Sequence, residues 1–424
     1  MGGKNIFYDA PGKFQDTRFE RIHNVTFPSA AEASRLVAEE IATGIRSCIN
    51  KPFILGLATG SSPIGVYKEL VSLHKKEGLS FKNVITFNLD EYFPIEKNDL
   101  LSYNHFMRNH LFDHIDIPNE NINIPEGNIS SKSIYSYCNE YEKKIRTLGG
   151  LDFQLLGIGR TGHIGFNEPG SNKNSVTRLV SLDFITKEDA AGDFNGIDNV
   201  PDKAITMGVD TIMKAKRIVL LAWGHKKSEK VAKSIEGPIS TVVPASFLQT
   251  HNNTSIILDE EASSELTRYR TPWLVKECKW TESLRKKAIT WLCKKLQKPI
   301  LKLTQRDYNE NGLSGPLETE GSSYELNIWM FNQLQRSITG WPGGKPNHSD
   351  ENRPERATPA KKRVLVFSPH PDDDVISMGG TLARLIDQNH EVYVAYQTSG
   401  NIAVSDEDAR RYVDVSIATI GDSK

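Results

Sequence analysis

A histidine and a glutamate, His163 and Glu168, lie five positions apart in the glycine-rich segment 157–168. An imidazole can accept or donate a proton near neutral pH, and a nearby carboxylate can orient it. The apolar residues 151–156 before this segment predict a buried strand. Because α/β proteins place their chemistry where strands end, we expect a proton-transfer site here. The alternative is a purely structural histidine, but a structural turn rarely needs four glycines.

Two adjacent carboxylates, Asp90 and Glu91, follow a second predicted strand at residues 84–88. Successive residues of a strand face opposite sides, so we expect one of the two to enter a crevice. A carboxylate there could act as a general base. The alternative is that both are solvated or helix-capping acids.

A third strand, predicted at 53–57, leads into a run of small residues and then into a helix opened by Pro63. Small residues let backbone N–H groups approach an anion, and the helix adds its positive end. Lys227, after a strand predicted at 217–223, could neutralise a phosphate as a point charge. A plain strand-to-helix turn is the alternative. The candidate phosphate-binding residues are Thr59, Gly60, Ser61, Ser62 and Lys227.

Short apolar strands alternate with amphipathic helices up to about residue 275, which predicts an α/β fold. We expect a doubly wound, mostly parallel, Rossmann-like sheet in domain 1–275. Residues 276–340 predict a helical connector, and the polar, proline-containing residues 341–362 predict a linker. Residues 363–424 begin a partial second α/β unit that is small for an independent core.

Composition excludes several classes of protein. The 424 residues include 52 basic and 53 acidic side chains. This balance leaves no net positive charge to attract nucleic acid or an anionic membrane. No apolar run approaches the roughly 18 residues of a membrane span, and the polar N-terminus does not resemble a signal peptide. The four cysteines have no paired spacing, which indicates reduced thiols in a cytoplasmic protein.

The residues 57–63, 86–92 and 162–169 together resemble the motifs of the glucosamine-6-phosphate deaminase family. Residues 112–118 and the pair Glu236-Gly237 fit the same family, so the resemblance covers roughly residues 20–270. It implies conversion of glucosamine 6-phosphate and water to fructose 6-phosphate and ammonia. It also implies a small-molecule sugar phosphate as the partner, no cofactor, and a homo-oligomer.

The resemblance implies a role for each candidate residue. Asp90 would take the C2 proton and return it at C1, and His163 would move a proton at the ring oxygen to open the pyranose. Glu168 would orient His163 and balance its charge. The phosphate would be held by Thr59, Gly60, Ser61, Ser62 and Lys227.

The chain departs from the family pattern at several positions. Thr161 stands where an aspartate usually helps to position the histidine, and residues 190–193 lack an arginine that usually adds to phosphate binding. Arg178 matches a residue associated with activation by N-acetylglucosamine 6-phosphate, but Val180 replaces a lysine there. A sugar-phosphate-binding module with impaired catalysis is therefore an alternative. Hydrolysis of 6-phosphogluconolactone on a related fold is a weaker one, because Asp90 favours isomerisation.

The residues 367–374, with Gly379-Gly380, resemble the start of a zinc-dependent N-acetylglucosaminyl deacetylase. The resemblance implies His370 and Asp373 as zinc ligands and Asp372 as the base that activates a metal-bound water. Catalytic zinc sites usually have three protein ligands, and the family's remaining histidine would fall beyond Lys424. We therefore expect no working deacetylase from these residues alone, while a longer bifunctional deacetylase–deaminase is an alternative.

Overall fold

A computed structural model describes residues 11–337, 361–387, 389–399 and 405–421 of the protein. Its contacts divide the chain into two compact units, Met1–Lys279 and Trp280–Lys424. Most of the predicted linker 341–362 lies outside the described residues, so the linker and the domain bounds drawn from the sequence stay predictions.

The first unit contains ten strands and nine α-helices among its described residues. The strands are β1 (His23–Phe27), β2 (Phe53–Leu57), β3 (Val84–Asn88), β4 (Asp90–Phe93), β5 (Ile122–Asn123), β6 (Phe153–Gly157), β7 (Arg178–Ser181), β8 (Lys203–Thr206), β9 (Ile218–Ala222) and β10 (Thr254–Asp259). The helices are α1 (Ala30–Ser47), α2 (Ile64–Glu77), α3 (Tyr103–His110), α4 (Ile134–Thr147), α5 (Phe184–Ala190), α6 (Val209–Met213), α7 (Ser228–Ile235), α8 (Glu260–Ser263) and α9 (Thr267–Arg270).

Seven of these strands form one sheet in the order β1-β10-β9-β6-β2-β3-β5, and every neighbouring pair is parallel. Strand residues alternate between two cores. Leu55 of β2 packs with side chains of α1 and α2 on one face, whereas Ile54 packs with α4 and α7 on the other. Both faces of the sheet are therefore covered, and the predicted doubly wound α/β fold is confirmed.

The sequence-based element bounds agree closely with the structure. Strands were predicted at 53–57 and 84–88, and the structure has β2 and β3 at these residues. The strand predicted at 217–223 is shorter by one residue at each end. All four cysteines are free thiols, as their spacing indicated.

A second, three-stranded antiparallel sheet, in the order β4-β8-β7, was not predicted. Its strand β4 begins at Asp90, and only Leu89 separates it from Asn88, the last residue of β3. The four residues of β4 are all buried and show no alternation of apolar and polar character, so they carry no strand pattern. The chain thus passes from one sheet directly into the other at Asp90.

The second unit contains a helical part and a small α/β part among its described residues. Its elements are α10 (Glu282–Leu296), α11 (Gln305–Asn309), α12 (Ser314–Glu320), α13 (Ser323–Ser337), β11 (Arg363–Ser368), α14 (Asp373–Asp387), β12 (Glu391–Tyr396) and α15 (Asp406–Gly421). β11 and β12 pair in parallel. Among the residues described in both units, no helix has the length and apolar character to cross a membrane.

The central strands should dominate the stability of the first unit. Leu55 is fully buried in β2, with strands on both sides. We expect Leu55→Ala to lower the free energy of unfolding by about 2 to 5 kcal/mol, because it removes buried methyl groups and leaves a cavity. Thermal and urea unfolding of the full chain measure the effect. The matched control is Ile49→Ala, at a side chain that is 82% exposed, and equal effects of the two substitutions would contradict the prediction.

Candidate active site

A cavity of about 760 Å³ lies at the carboxyl ends of β9, β6, β2 and β3, which are consecutive neighbours in the sheet. Each of these strands contributes to it one of the segments singled out from the sequence. The predicted site residues that line it are Thr59, Gly60, Ser61, Ser62, Asp90, His163 and Lys227. Parallel pairing brings these segments together, because all carboxyl ends lie at one edge of the sheet.

The two adjacent carboxylates separate as strand geometry requires. Asp90 lines the cavity, whereas Glu91 faces away and accepts hydrogen bonds from the backbone N–H groups of Tyr92, Tyr103 and Asn104 at 3.0, 2.8 and 2.9 Å. Glu91 thus caps the first turn of α3. One acid is available to a ligand and the other anchors a helix.

Burial has a large effect on both carboxyls. It raises the pKa of Asp90 to about 8, with a further contribution from the charge of Glu91, while the nearby Thr59 hydroxyl lowers it. Burial likewise raises the pKa of Glu91 to about 7, against its three amide donors. A carboxyl whose pKa is close to the pH of the surrounding solution can both accept and return a proton.

His163, Glu168 and two threonines form a compact hydrogen-bonded cluster. His163 Nδ1 lies 3.0 Å from Glu168 Oε2 and 2.8 Å from Thr161 Oγ1. The Thr161 hydroxyl donates to Glu168 Oε2 at 2.9 Å, and the Thr186 hydroxyl donates to Glu168 Oε1 at 2.5 Å. The carboxylate beside Nδ1 favours the tautomer with the proton on Nδ1, which leaves Nε2 as the free acceptor.

Glu168 remains ionised in this cluster. Its burial alone would raise the pKa, but the hydrogen bond and charge of His163, with the hydroxyls of Thr186 and Thr161, hold the pKa of Glu168 below its usual value. The negative charge next to the imidazole therefore comes from Glu168 itself. Thr161 adds a donor, not a charge.

Two glycines allow the loop to reach this position. A Cβ on Gly159 would lie 2.1 Å from His163 Nε2, so only glycine leaves space for the ring. Gly165 has a φ of +55°, and a Cβ there would lie 3.4 Å from Asp90 Oδ2. The loop that carries His163 therefore packs directly beside Asp90.

Aromatic side chains form one wall of the cavity. Tyr103 stacks on Phe166 with ring centroids 6.0 Å apart, and Tyr92 contacts both rings and Phe194. All four line the cavity. Such a wall offers an apolar surface to a ligand, beside the polar groups of the cavity.

Two cavity residues, Thr186 and Arg160, were missed in the sequence. Thr186, in α5, is eighteen positions from Glu168, and no local pattern connects them. Arg160 lies within the glycine segment itself, and its charge could have indicated an anion site.

Arg178, which was named from the sequence, donates to Asn167 Oδ1 at 2.9 Å and to Ser171 Oγ at 3.3 Å, but is absent from the cavity lining.

The two candidate zinc ligands of the second unit contact each other. His370 Nδ1 lies 2.9 Å from Asp373 Oδ2, and both side chains are partly exposed. No group of three or more histidine, cysteine, aspartate or glutamate side chains that could hold a metal occurs among the described residues. The residues described here do not complete a catalytic zinc site, so no step is derived through zinc.

Residues 28–257 match the sequence profile of a family described as glucosamine-6-phosphate isomerases/6-phosphogluconolactonase. The chain belongs to this family. A glucosamine-6-phosphate deaminase of Oceanobacillus iheyensis is 46% identical over 234 residues, which cover 55% of this chain and 92% of that protein. Another, of Clostridium acetobutylicum, is 47% identical over 242 residues, covering 57% of this chain and 99% of that protein. The family expected from the three motifs is thus confirmed.

The chain also resembles a solved structure and a longer relative. A solved monomeric glucosamine-6-phosphate deaminase aligns with a TM-score of 0.56 and 42% identity, covering 57% of this chain and 100% of the other. A glucosamine-6-phosphate deaminase-like protein of Bacteroides thetaiotaomicron is 52% identical over 399 residues. These residues are 94% of this chain and 60% of that protein, so the chain spans about three fifths of its length.

The second resemblance is confirmed as well. Residues 365–420 match the profile of GlcNAc-PI de-N-acetylase. The glucosamine-6-phosphate isomerase match and the de-N-acetylase match therefore follow one another along the chain.

The raised pKa of Asp90 predicts a pH-dependent cost in stability. A carboxyl with a higher pKa in the folded state stabilises the fold below its unfolded pKa of about 4, and this contribution is lost as the pH rises through about 8. We therefore expect Asp90→Asn to raise the melting temperature at pH 8.5, with a gain that shrinks toward pH 5. Thermal unfolding across this range measures it, with the exposed Asp198→Asn as control. A gain that is independent of pH would contradict the raised pKa.

Proposed function

We propose that the protein converts glucosamine 6-phosphate and water to fructose 6-phosphate and ammonia. One observation carries the proposal: a buried carboxyl with a raised pKa, Asp90, shares a cavity with His163, whose Nδ1 is paired with Glu168. An aldose-to-ketose conversion needs one group that moves a proton between adjacent carbons and another that opens the ring. Membership of the family supports the same reaction.

Ring opening is assigned to His163. Its free Nε2 accepts the proton of the anomeric hydroxyl, and the imidazolium returns a proton to the ring oxygen as the C1–O5 bond breaks. Glu168 stabilises the imidazolium and keeps the ring oriented through Nδ1. The Thr161 and Thr186 hydroxyls hold both oxygens of Glu168 in place.

Proton transfer between carbons is assigned to Asp90. As the carboxylate it takes the proton from C2 of the open-chain sugar, while the ammonium group of the substrate gives a proton to O1, and the product is an enolamine. Asp90 then returns its proton to C1, which leaves a protonated imine at C2. The resulting imine at C2 is hydrolysed by water, which releases ammonia and leaves the ketone of fructose 6-phosphate. Burial of Asp90 makes it a stronger base than an exposed aspartate.

The phosphate is assigned to the small residues after β2 and to Lys227. Residues 59–62 lie at the amino end of α2, where backbone N–H groups and the helix dipole favour an anion. Lys227 is half-buried at the same cavity, and its burial lowers its pKa. It adds a positive charge to the binding site.

Proton transfers and imine hydrolysis require no cofactor in this scheme. We infer that catalysis belongs to the first unit alone, and that a deacetylase activity would require further metal ligands. The free thiols suit a reducing compartment such as the cytoplasm. A homo-oligomer remains a prediction, and one solved relative is described as monomeric.

The proposed function is tested by incubating the full chain with glucosamine 6-phosphate and measuring ammonia and fructose 6-phosphate. We expect turnover that falls by a factor of about 10³ or more in Asp90→Asn, a loss typical of a deleted general base. Because Asp90 must be ionised, kcat/KM should rise with pH up to about 8. Release of no product above the Asp90→Asn background would remove the proposal, and 6-phosphogluconolactone in a parallel assay tests the related activity.

The Thr161 side chain offers a separate test of whether catalysis is impaired. Thr161→Val removes the donor to Glu168, and we expect kcat to fall about 10-fold, the usual effect of losing a hydrogen bond to a charged group. Thr161→Ser retains the hydroxyl and is the matched control. Thr161→Asp places a second carboxylate beside Glu168 and should also lower kcat. A large gain from Thr161→Asp would instead support a sugar-phosphate-binding module with impaired catalysis.

A further inference from the structure

Arg160 is the only arginine among the described residues that line the cavity. It follows β6, between the strand ends that carry Lys227 (β9) and the small residues 59–62 (β2). The three candidate anion-binding segments therefore come from three consecutive strands, with Arg160 in the middle.

The guanidinium of Arg160 is oriented by two carboxylates of α5. Its Nη2 donates to Glu188 Oε2 at 2.5 Å, and its Nε lies 2.6 Å from Asp189 Oδ1. A guanidinium carries five N–H donors, and these contacts engage only one edge of it. No hydrogen bond or ion pair from the described residues engages Nη1, so donors remain for a ligand.

Arg160 and Lys227 also influence each other electrostatically. Burial lowers the pKa of Lys227, Asp189 opposes this effect, and the positive charge of Arg160 reinforces it. Two cations held near each other repel, unless an anion lies between them. Asp189 supplies part of that compensation in the ligand-free protein, and a phosphate dianion would supply more.

We propose that Arg160 is a phosphate-binding residue, which substitutes for the arginine that residues 190–193 lack and which acts with Lys227 on the phosphate of the substrate. The proposal rests on the function proposed above. Glu188 and Asp189 are positioning residues that hold Nη2 and Nε of the guanidinium and leave Nη1 for the phosphate. An arginine fork matches phosphate geometry, whereas a lysine supplies only a point charge.

Substitution of Arg160 tests this role. In Arg160→Leu we expect the KM for glucosamine 6-phosphate to rise about 10- to 100-fold, the effect of removing charged hydrogen bonds, while kcat at saturation changes little. Arg160→Lys should recover part of the affinity. Arg35→Leu is the matched control, because Arg35 also pairs with a carboxylate, Glu39, but on the exposed surface of α1.

A structural role of Arg160, as an anchor for α5, is distinguished by the double variant Glu188→Gln/Asp189→Asn. That variant removes both ion pairs and keeps the guanidinium. We expect it to keep its affinity for phosphate, whereas a variant as weak as Arg160→Leu would show that only the anchor matters and overturn the proposal.

Binding of inorganic phosphate separates this inference from the deaminase reaction. Isothermal titration of the full chain with inorganic phosphate needs no turnover, and we expect Arg160→Leu to weaken binding by a similar factor of about 10 or more. If the wild-type chain releases no ammonia but binds phosphate through Arg160, the proposed function fails and this inference stands. Equal phosphate affinity in the wild type and Arg160→Leu, or no phosphate binding by the wild type, would overturn it.

Discussion

The parallel pairing of β9, β6, β2 and β3 is the constraint on which the site depends. Hydrogen bonding between parallel strands sets all four carboxyl ends at one edge, and helices bury both faces of the sheet. Segments that lie up to about 170 positions apart in the chain, from Thr59 to Lys227, thus line a single cavity. The loops could differ widely in sequence without losing this convergence, because the backbone of the strands enforces it.

Burial is the largest single influence on the pKa values of Asp90 and Glu168. Asp90 lies where the chain leaves the seven-stranded sheet and enters the three-stranded one, so it is enclosed by both. Enclosure disfavours the carboxylate and raises its pKa to about 8. Glu168 is also largely buried, but its pKa is lowered, because His163 and two threonine hydroxyls stabilise its negative charge. Burial and hydrogen bonding therefore shift the pKa values of these two carboxyls in opposite directions, upward for Asp90 and downward for Glu168.

Helix α5 contacts both the His163–Glu168 cluster and Arg160. Its Thr186 donates to Glu168, and its Glu188 and Asp189 hold Arg160. The proton-transfer cluster and the proposed phosphate site are consequently attached to one short element. In this arrangement Glu168 supplies a negative charge next to the His163 ring, although residue 161 is a threonine.

The sequence by itself determined the fold class, the bounds of β2 and β3 and the family, because apolar periodicity and glycine-rich motifs are local signals. It also placed Asp90, His163 and Glu168 at strand ends. Only the tertiary structure decided that Asp90 rather than Glu91 faces the cavity, that Thr186 completes the cluster, and that Arg160 and Lys227 line the same cavity. These are contacts between residues distant in the chain. They depend on how the seven-stranded sheet, the three-stranded sheet and α5 pack together, and no local sequence pattern contains that information.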